Sequence, residues 1–409
     1  MSKKSKSPGR RLSGTVMLFY FLAFLLLAAR DGSRTGYILC AAVPAMIFFG
    51  THILPRIFPA DHLLLSLTNF LCALGILVLY GTNPASAVQQ AVSYGVGLGC
   101  MILCIYLIRV IRSWKNLILP LILLSLALLG MPLVFGKETN GALNWISLGP
   151  VSFQPSEAVK LCLALVLSWC MSRRRFLPWF LFCGACLGLL MLQRDLGTAL
   201  IYFGTALMLY WVSSGNWAVT GLGVVGGAAM AVTGYRMFAH VRRRVAVWLN
   251  PWADYENAGY QIVQGLMAIA SGGLFGVGLG LGSPTSIPVY SSDFIFAVIC
   301  EQFGVIFGIC VLAVYAALVL RGTMIAMSAR RGFHGLLAMS CVIMLGLQSF
   351  IIIGGVLKLI PLTGVTMPFV SYGGTSLISS MCLIGFIQGV ESLNEDELAE
   401  DTHLAMLER

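Results

Sequence analysis

The sequence predicts an all-α, polytopic membrane protein of twelve transmembrane helices with one long extracellular loop. Three observations carry that expectation. Hydrophobic residues make up 58% and charged residues 10% of 409 positions, with a mean hydropathy of +0.88. A soluble domain carries about 25% charge, so this chain has too few polar side chains to cover a water-facing surface. Its apolar stretches reach the length of a membrane helix, about 20 residues, and they lack the alternation that a β-barrel strand would show.

The spans fall near 13–29, 36–54, 63–80, 90–111, 117–135, 157–172, 176–192, 196–213, 217–238, 294–320, 335–356 and 368–390. The first apolar run is followed by Arg30 and Asp31 with no small-residue cleavage site, so it reads as a span and not as a cleaved signal peptide. Residues 1–12 hold Lys3, Lys4, Lys6, Arg10 and Arg11, which sets the N-terminus on the cytoplasmic side. Alternation from there puts the loops with Arg109, Arg112 and Lys115, with Arg173 to Arg175, and with Arg321, Arg330 and Arg331 inside as well. Segments 136–156, 239–293 and 357–367 fall outside. Residues 391–409 form a cytoplasmic acidic tail, expected to be short, mobile and merely solvating.

The net charge of +10 arises mainly in short loops, where it sets topology, and does not point to nucleic acid. Arg242, Arg243 and Arg244 are the exception, because they land outside. Either they are a hydrated surface cluster or they clamp phosphate, which arginine binds bidentately. Anionic lipid head groups and diphosphates are the matching ligands. The twelve cysteines lie mostly inside apolar runs and read as small buried thiols. Cys183-Gly-Ala-Cys186 has redox spacing but sits within a span.

Four outer segments hold the chemistry-bearing residues. In the first, Asn140 to Gly149 contains Trp145, and Gln154-Pro-Ser-Glu-Ala-Val-Lys160 follows. Ser156 is placed to cap a helix, and Glu157 and Lys160 are spaced to pair on one face. Lys160 lies inside a span, where an unpaired charge is costly, so it is expected beside a polar cavity. In the second, Asp195 caps the helix that begins after Arg194. The third is the glycine-rich stretch from Asn250 to Gly304, with Gly272, Gly273, Gly276, Gly278, Gly280 and Gly282, ending at Asp293 beside a new apolar helix. Those glycines suit either close backbone approach to a ligand or close helix packing. Asp293 reads as an N-cap or as a site residue. In the fourth, Pro361, Gly364, Pro368, Gly373 and Gly374 break the helix at membrane depth, which is tolerated where backbone is buried or lines a wet cavity.

Taken together, NGALNWISLGPVSFQPSEAVKL, DLGTA, NPWAD, GYQIVQGLMAIASGGLFGVGLG, SDFIFAVICEQFG and IPLTGVTMPFVSYGGTS resemble the SEDS family of shape, elongation, division and sporulation proteins (FtsW, RodA and SpoVE). The likeness covers roughly 115–390, with the long outer loop 239–293 inside it. Residues 13–111 hold the N-terminal spans, two more than the family's usual ten in all. The resemblance implies a peptidoglycan glycosyltransferase of the bacterial cytoplasmic membrane that polymerises lipid II at the outer face. Undecaprenyl diphosphate is then the leaving group and a class B penicillin-binding protein the partner transpeptidase. It implies that Asp293 is the essential carboxylate. Trp145, Gln154, Ser156, Glu157, Lys160, Tyr260, Gln261, Ser371 and Tyr372 come with the matching blocks as substrate-binding candidates.

Three positions depart from the family's pattern. Asn144 stands where a basic residue is common, Arg194 where proline is common, and Val-Tyr-Ser-Ser precedes the Asp293 block. On this reading Asp293 is a general base. Lys160, Arg242 to Arg244 or a bound divalent cation (Mg2+ or Mn2+) stabilise the diphosphate. No organic cofactor is expected, and no Walker-type motif is present. The competing expectations are a lipid II flippase using Lys160 and Glu301, and a non-catalytic scaffold for a transpeptidase.

Overall fold

The computed structural model describes residues 8–407 apart from 112, 140, 141, 149 and 150. Lys3, Lys4, Lys6, Arg112 and Asn140 therefore lie outside the described residues. In chain order the helices are α1 (Pro8–Asp31), α2 (Arg34–Phe48), α3 (Leu54–Ile57), α4 (His62–Thr82), α5 (Pro84–Val110), α6 (Lys115–Phe135), α7 (Pro155–Ser172) and α8 (Phe176–Leu192). They continue with α9 (Leu196–Ser214), α10 (Trp217–Met237), α11 (Ala239–Leu249), α12 (Tyr260–Gly272), α13 (Ile295–Ser328), α14 (Gly332–Val356) and α15 (Gly374–Leu407). A π-helical turn over Phe49–Ile53 joins α2 to α3, so Arg34–Ile57 runs as one span. Among the described residues eleven helices are long and apolar enough to cross a membrane, and α8 is a shorter apolar helix. Every expected span falls on one of these twelve.

Polar caps fix the helix starts. Asp61 accepts from Leu64 N at 2.7 Å, Asn83 from Ala85 N and Ser86 N, and Asn216 from Ala218 N and Val219 N. Each bond satisfies a backbone N–H that the helix cannot pair itself. α4, α7, α14 and α15 are buried over most of their surface and form the centre of the bundle. α10 is buried over almost none and packs mainly on its neighbours in sequence, α9 and α11.

Three expectations are corrected, on the irregular long outer segment, the start of the last helix and the mobile acidic tail, and one outer segment gains detail. The segment 136–156 is a small antiparallel sheet of β1 (Lys137–Thr139), β2 (Ala142–Leu148) and β3 (Val151–Phe153), with Lys137 opposite Trp145 and Ile146 opposite Phe153. The long outer segment is partly ordered as α11 and α12, and of the two readings of its glycines the backbone supports close packing. Residues 273–278 fold back along α13, with Val277 N to Glu301 O at 2.9 Å and Val305 N to Gly273 O at 2.9 Å. α13 is broken there at Gly304, φ +86°. A Cβ at Gly272, Gly276 or Gly304 would collide with the opposing backbone, so only glycine lets the strands of chain approach and pair.

The last helix begins at Gly374, not near 368. Gly364 (φ +78°) and Phe369 (φ +68°) hold left-handed backbone, and Pro368 has no N–H to offer a helix. At its other end α15 runs through the acidic tail, which is helical and tied to the bundle. Asp396 pairs with Arg109 at 2.9 Å, Glu397 with Arg331 at 3.1 Å and Asp401 with Arg330 at 2.5 Å. The arginines that close α5 and open α14 stand opposite these carboxylates, and that juxtaposition holds the tail in place.

Candidate active site

At the end of the bundle opposite that tail lies a cavity of about 330 Å3. β2 gives it Asn144 and Trp145, the start of α7 gives Gln154, Glu157 and Lys160, and the α8–α9 turn gives Arg194 and Asp195. Val289, Ser292 and Asp293 close one wall, and the broken segment Thr363–Thr366 with Tyr372 closes another. The helix-breaking run before α15 therefore lines a polar cavity, as backbone at this depth requires.

Asp195 assembles the outer wall. Its carboxylate accepts from Thr198 N (3.1 Å), Thr198 Oγ1 (3.0 Å), Asn144 Nδ2 (3.1 Å) and Gln154 Nε2 (3.2 Å). The cap of α9 thus also anchors the sheet and the start of α7. Gln154 itself occupies the N-cap position of α7, because Pro155 is already the first helical residue. Ser156 lies two positions too far along to cap, contrary to the sequence expectation. Its hydroxyl is buried with no hydrogen-bond partner among the described residues.

Below this wall sits the expected charge pair. Lys160 Nζ donates to Glu157 Oε1 at 2.8 Å and Oε2 at 2.9 Å, and also to Gln348 Oε1 at 2.9 Å. Ser379 Oγ donates to Glu157 Oε2 at 2.5 Å, and Gln348 Nε2 to Thr366 O at 2.8 Å. One network therefore joins α7, α14, α15 and the broken segment across the cavity floor.

Asp293 precedes α13, whose N-cap position is Phe294. Its N–H donates to Val289 O at 3.2 Å. Ser371 Oγ donates to Ser292 O at 2.5 Å and Tyr372 N to Ser291 O at 2.8 Å, which ties this turn to the broken segment. A Cβ placed on Gly364 would lie 3.7 Å from Asp293 Oδ2, so the carboxylate packs against bare backbone. Burial pushes the Asp293 carboxyl up from its ordinary value, against the lowering effects of the Ser292 hydroxyl and of Arg244. Asp293 is half-buried. It also lines a second groove of about 440 Å3, with Arg243, Gln261 and Leu362. Asp293, Arg244, Val289 and Gly364 form the wall that the two spaces share.

The three arginines separate. Arg242 and Arg243 are exposed, Arg243 borders only the second groove, and Arg242 is not among the described residues that line either space. Arg244 is half-buried and donates to Thr363 O at 3.0 Å. Burial pulls its pKa down while Asp293 and Asp195 hold it up. Trp248, one turn on, donates from Nε1 to Lys358 O at 3.0 Å, so α11 is docked on the broken segment along one face. Tyr260 packs on Tyr255 with ring centroids 5.8 Å apart and is not among the residues lining either space, whereas Gln261 borders the groove. Ser371 is buried in the tie to Ser292, while Tyr372 lines the cavity and donates to Gln89 Oε1 at 2.5 Å.

With this geometry in view, the profile of the cell cycle protein family FtsW/RodA/SpoVE matches residues 61–395. The chain belongs to that family. It is 31% identical to the peptidoglycan glycosyltransferase RodA of Mycobacterium tuberculosis over 424 residues, covering 93% of this chain and 90% of the relative. It is 32% identical to stage V sporulation protein E of Bacillus subtilis over 358 residues, covering 81% of this chain and 96% of that one. A chain from a peptidoglycan synthase complex that coordinates polymerization and crosslinking superposes with a TM-score of 0.70 at 29% identity, over 82% of this chain and 98% of that chain. The FtsW/RodA/SpoVE fold is thus a multi-pass helical membrane fold here too, and its match begins at Asp61, the cap of α4.

Among the described residues of this family member, no three His, Cys, Asp or Glu side chains converge on a metal position. Glu157 is engaged by Lys160 and Ser379, and Asp195 by four donors, which leaves Asp293 as the cavity carboxylate for a cation. Asp293 is thus the residue that would hold a divalent ion if one accompanied a diphosphate. Asn144, Arg194, Thr363 and Gln348 were not singled out as site residues. For Gln348 the available signal was a lone amide inside an apolar span, where an unsatisfied polar group is costly.

Proposed function

We propose that this chain is a peptidoglycan glycosyltransferase that polymerises lipid II at the outer face of the bacterial cytoplasmic membrane, with Asp293 as general base. The observation that carries the assignment is the position of Asp293 on the wall between two polar spaces, because a polymerase must bring two substrates to one base. The family relatives that bear the name peptidoglycan glycosyltransferase support the reaction class. Asp293 takes the proton from the acceptor's sugar hydroxyl as its oxygen attacks the donor's anomeric carbon. The bond from that carbon to the diphosphate oxygen breaks, and undecaprenyl diphosphate leaves with the electron pair. Burial raises the basicity of the Asp293 carboxylate, which favours its accepting a proton. Arg244 faces the same space and offsets the charge that develops on the leaving group.

A divalent cation (Mg2+ or Mn2+), carried in on the diphosphate, would supply further charge compensation; no step is assigned to it. Both termini lie in the cytoplasm, consistent with the arginines at the end of the bundle that holds the tail of α15. A class B penicillin-binding protein is the expected partner, because the structural relative belongs to a complex that both polymerises and crosslinks. Purified protein with fluorescent lipid II in detergent tests the assignment. Glycan ladders are expected. Translocation of lipid II in liposomes without polymer would instead indicate a flippase, and neither activity a scaffold.

A further inference from the structure

Arg194 ends α8 in a tight backbone closure. Arg194 N donates to Met191 O at 3.1 Å and Asp195 N to Leu190 O at 3.0 Å. This closure sets Arg194 at φ +61°, a conformation that glycine enters freely and a larger residue at a cost. The turn holds its stem on the rim of the cavity, where the exposed side chain joins the lining. Lys160, a further cation of the lining, is 2.8 Å from Glu157. Arg244 is the remaining guanidinium in the lining, and it comes from a separate segment, α11. At the start of α11, His240 Nε2 is buried with no hydrogen-bond partner among the described residues. Burial first, then Arg244 and Arg194, lower the His240 imidazole, so both guanidinium groups act on the same side chain.

We propose that Arg194 binds substrate, closing with Arg244 a two-guanidinium clamp on the diphosphate of the lipid donor. The inference rests on the polymerase assignment above. Guanidinium forks match phosphate oxygens bidentately, and two of them answer the two phosphates of the leaving group. As the sugar–oxygen bond breaks, its electron pair moves onto the diphosphate, so contacts to that group strengthen towards the transition state.

The test compares wild type with Arg194→Gly and Arg194→Lys, as purified full-length protein with lipid II. Glycine accepts φ +61° without strain, so Arg194→Gly should unfold at the wild-type temperature or above it. Its kcat/KM should fall about 10- to 100-fold, the loss expected for one charged hydrogen-bonding group. Inhibition by undecaprenyl diphosphate should weaken by a similar factor, with Arg194→Lys between the two. Wild-type kinetics and wild-type product inhibition in Arg194→Gly would overturn the clamp while leaving the polymerase assignment standing. Reduced activity with unchanged product inhibition and a lower unfolding temperature would also overturn it, by making the residue structural. A wild-type protein that makes no glycan would remove the assignment and the clamp together.

Discussion

Removing one member of the Lys160–Glu157 pair should cost far more than removing both. Lys160 is 2% exposed and the Glu157 side chain 6% exposed, with Nζ within 2.9 Å of both carboxylate oxygens. Lys160→Met leaves a buried carboxylate with Ser379 as its remaining donor. Glu157→Gln leaves a buried ammonium facing amide oxygens. Breaking a buried pair in this way costs about 3–5 kcal/mol, because the remaining charge is uncompensated. Against a total stability of about 5–15 kcal/mol that is a large fraction. The double variant Glu157→Gln/Lys160→Met removes both charges and keeps similar volumes, so it should fall within about 2 kcal/mol of wild type. Thermal unfolding of the four proteins in one detergent, followed by loss of the monodisperse peak, gives the cycle. Purely additive losses, with the double variant worse than either single one, would show that the two charges do not compensate each other.

Gly304→Ala should destabilise by at least about 2 kcal/mol, the sum of left-handed strain at φ +86° and a collision with the Leu274 carbonyl, and a thermal unfolding midpoint would register it. Asp195→Ala loses a helix cap worth about 0.5–2 kcal/mol and frees Asn144 and Gln154. Limited proteolysis should then cut within 137–153 faster than in wild type, and lipid II polymerisation should fall although Asp293 is untouched. The rate of polymerisation should rise with pH through an ionisation raised from the ordinary aspartate value, because a base works deprotonated and burial raises Asp293. The linkage has the opposite sign for stability. A raised folded pKa contributes stability at low pH that is lost as pH rises through it, so Asp293→Asn should be no less stable than wild type at neutral pH.

The spans were legible because a membrane helix is announced by local composition, which needs no knowledge of partners. The site was legible as blocks. Trp145, Lys160, Asp293 and Tyr372 lie far apart in sequence, and it takes the fold to bring them around one cavity. The acidic tail misled because its pairing with Arg109, Arg330 and Arg331 is tertiary, and exposed carboxylates alone read as solvated. The glycines of 272–282 suited ligand approach and close packing equally, because the surface they meet, the broken α13, is visible only in three dimensions. Pro155, as the first helical residue, puts the cap position at Gln154, two residues before Ser156. The helical period of α11, by contrast, was available in advance. Arg244 and Trp248 are four apart on one face, which separates Arg244 from its two neighbours.

Asp293→Asn, purified beside wild type and given lipid II, is the measurement nearest to the chemistry. The variant should fold and bind lipid II, and yield no glycan strands at any pH at which wild type makes them. Strands of wild-type length formed at the wild-type rate would exclude this carboxylate as the base.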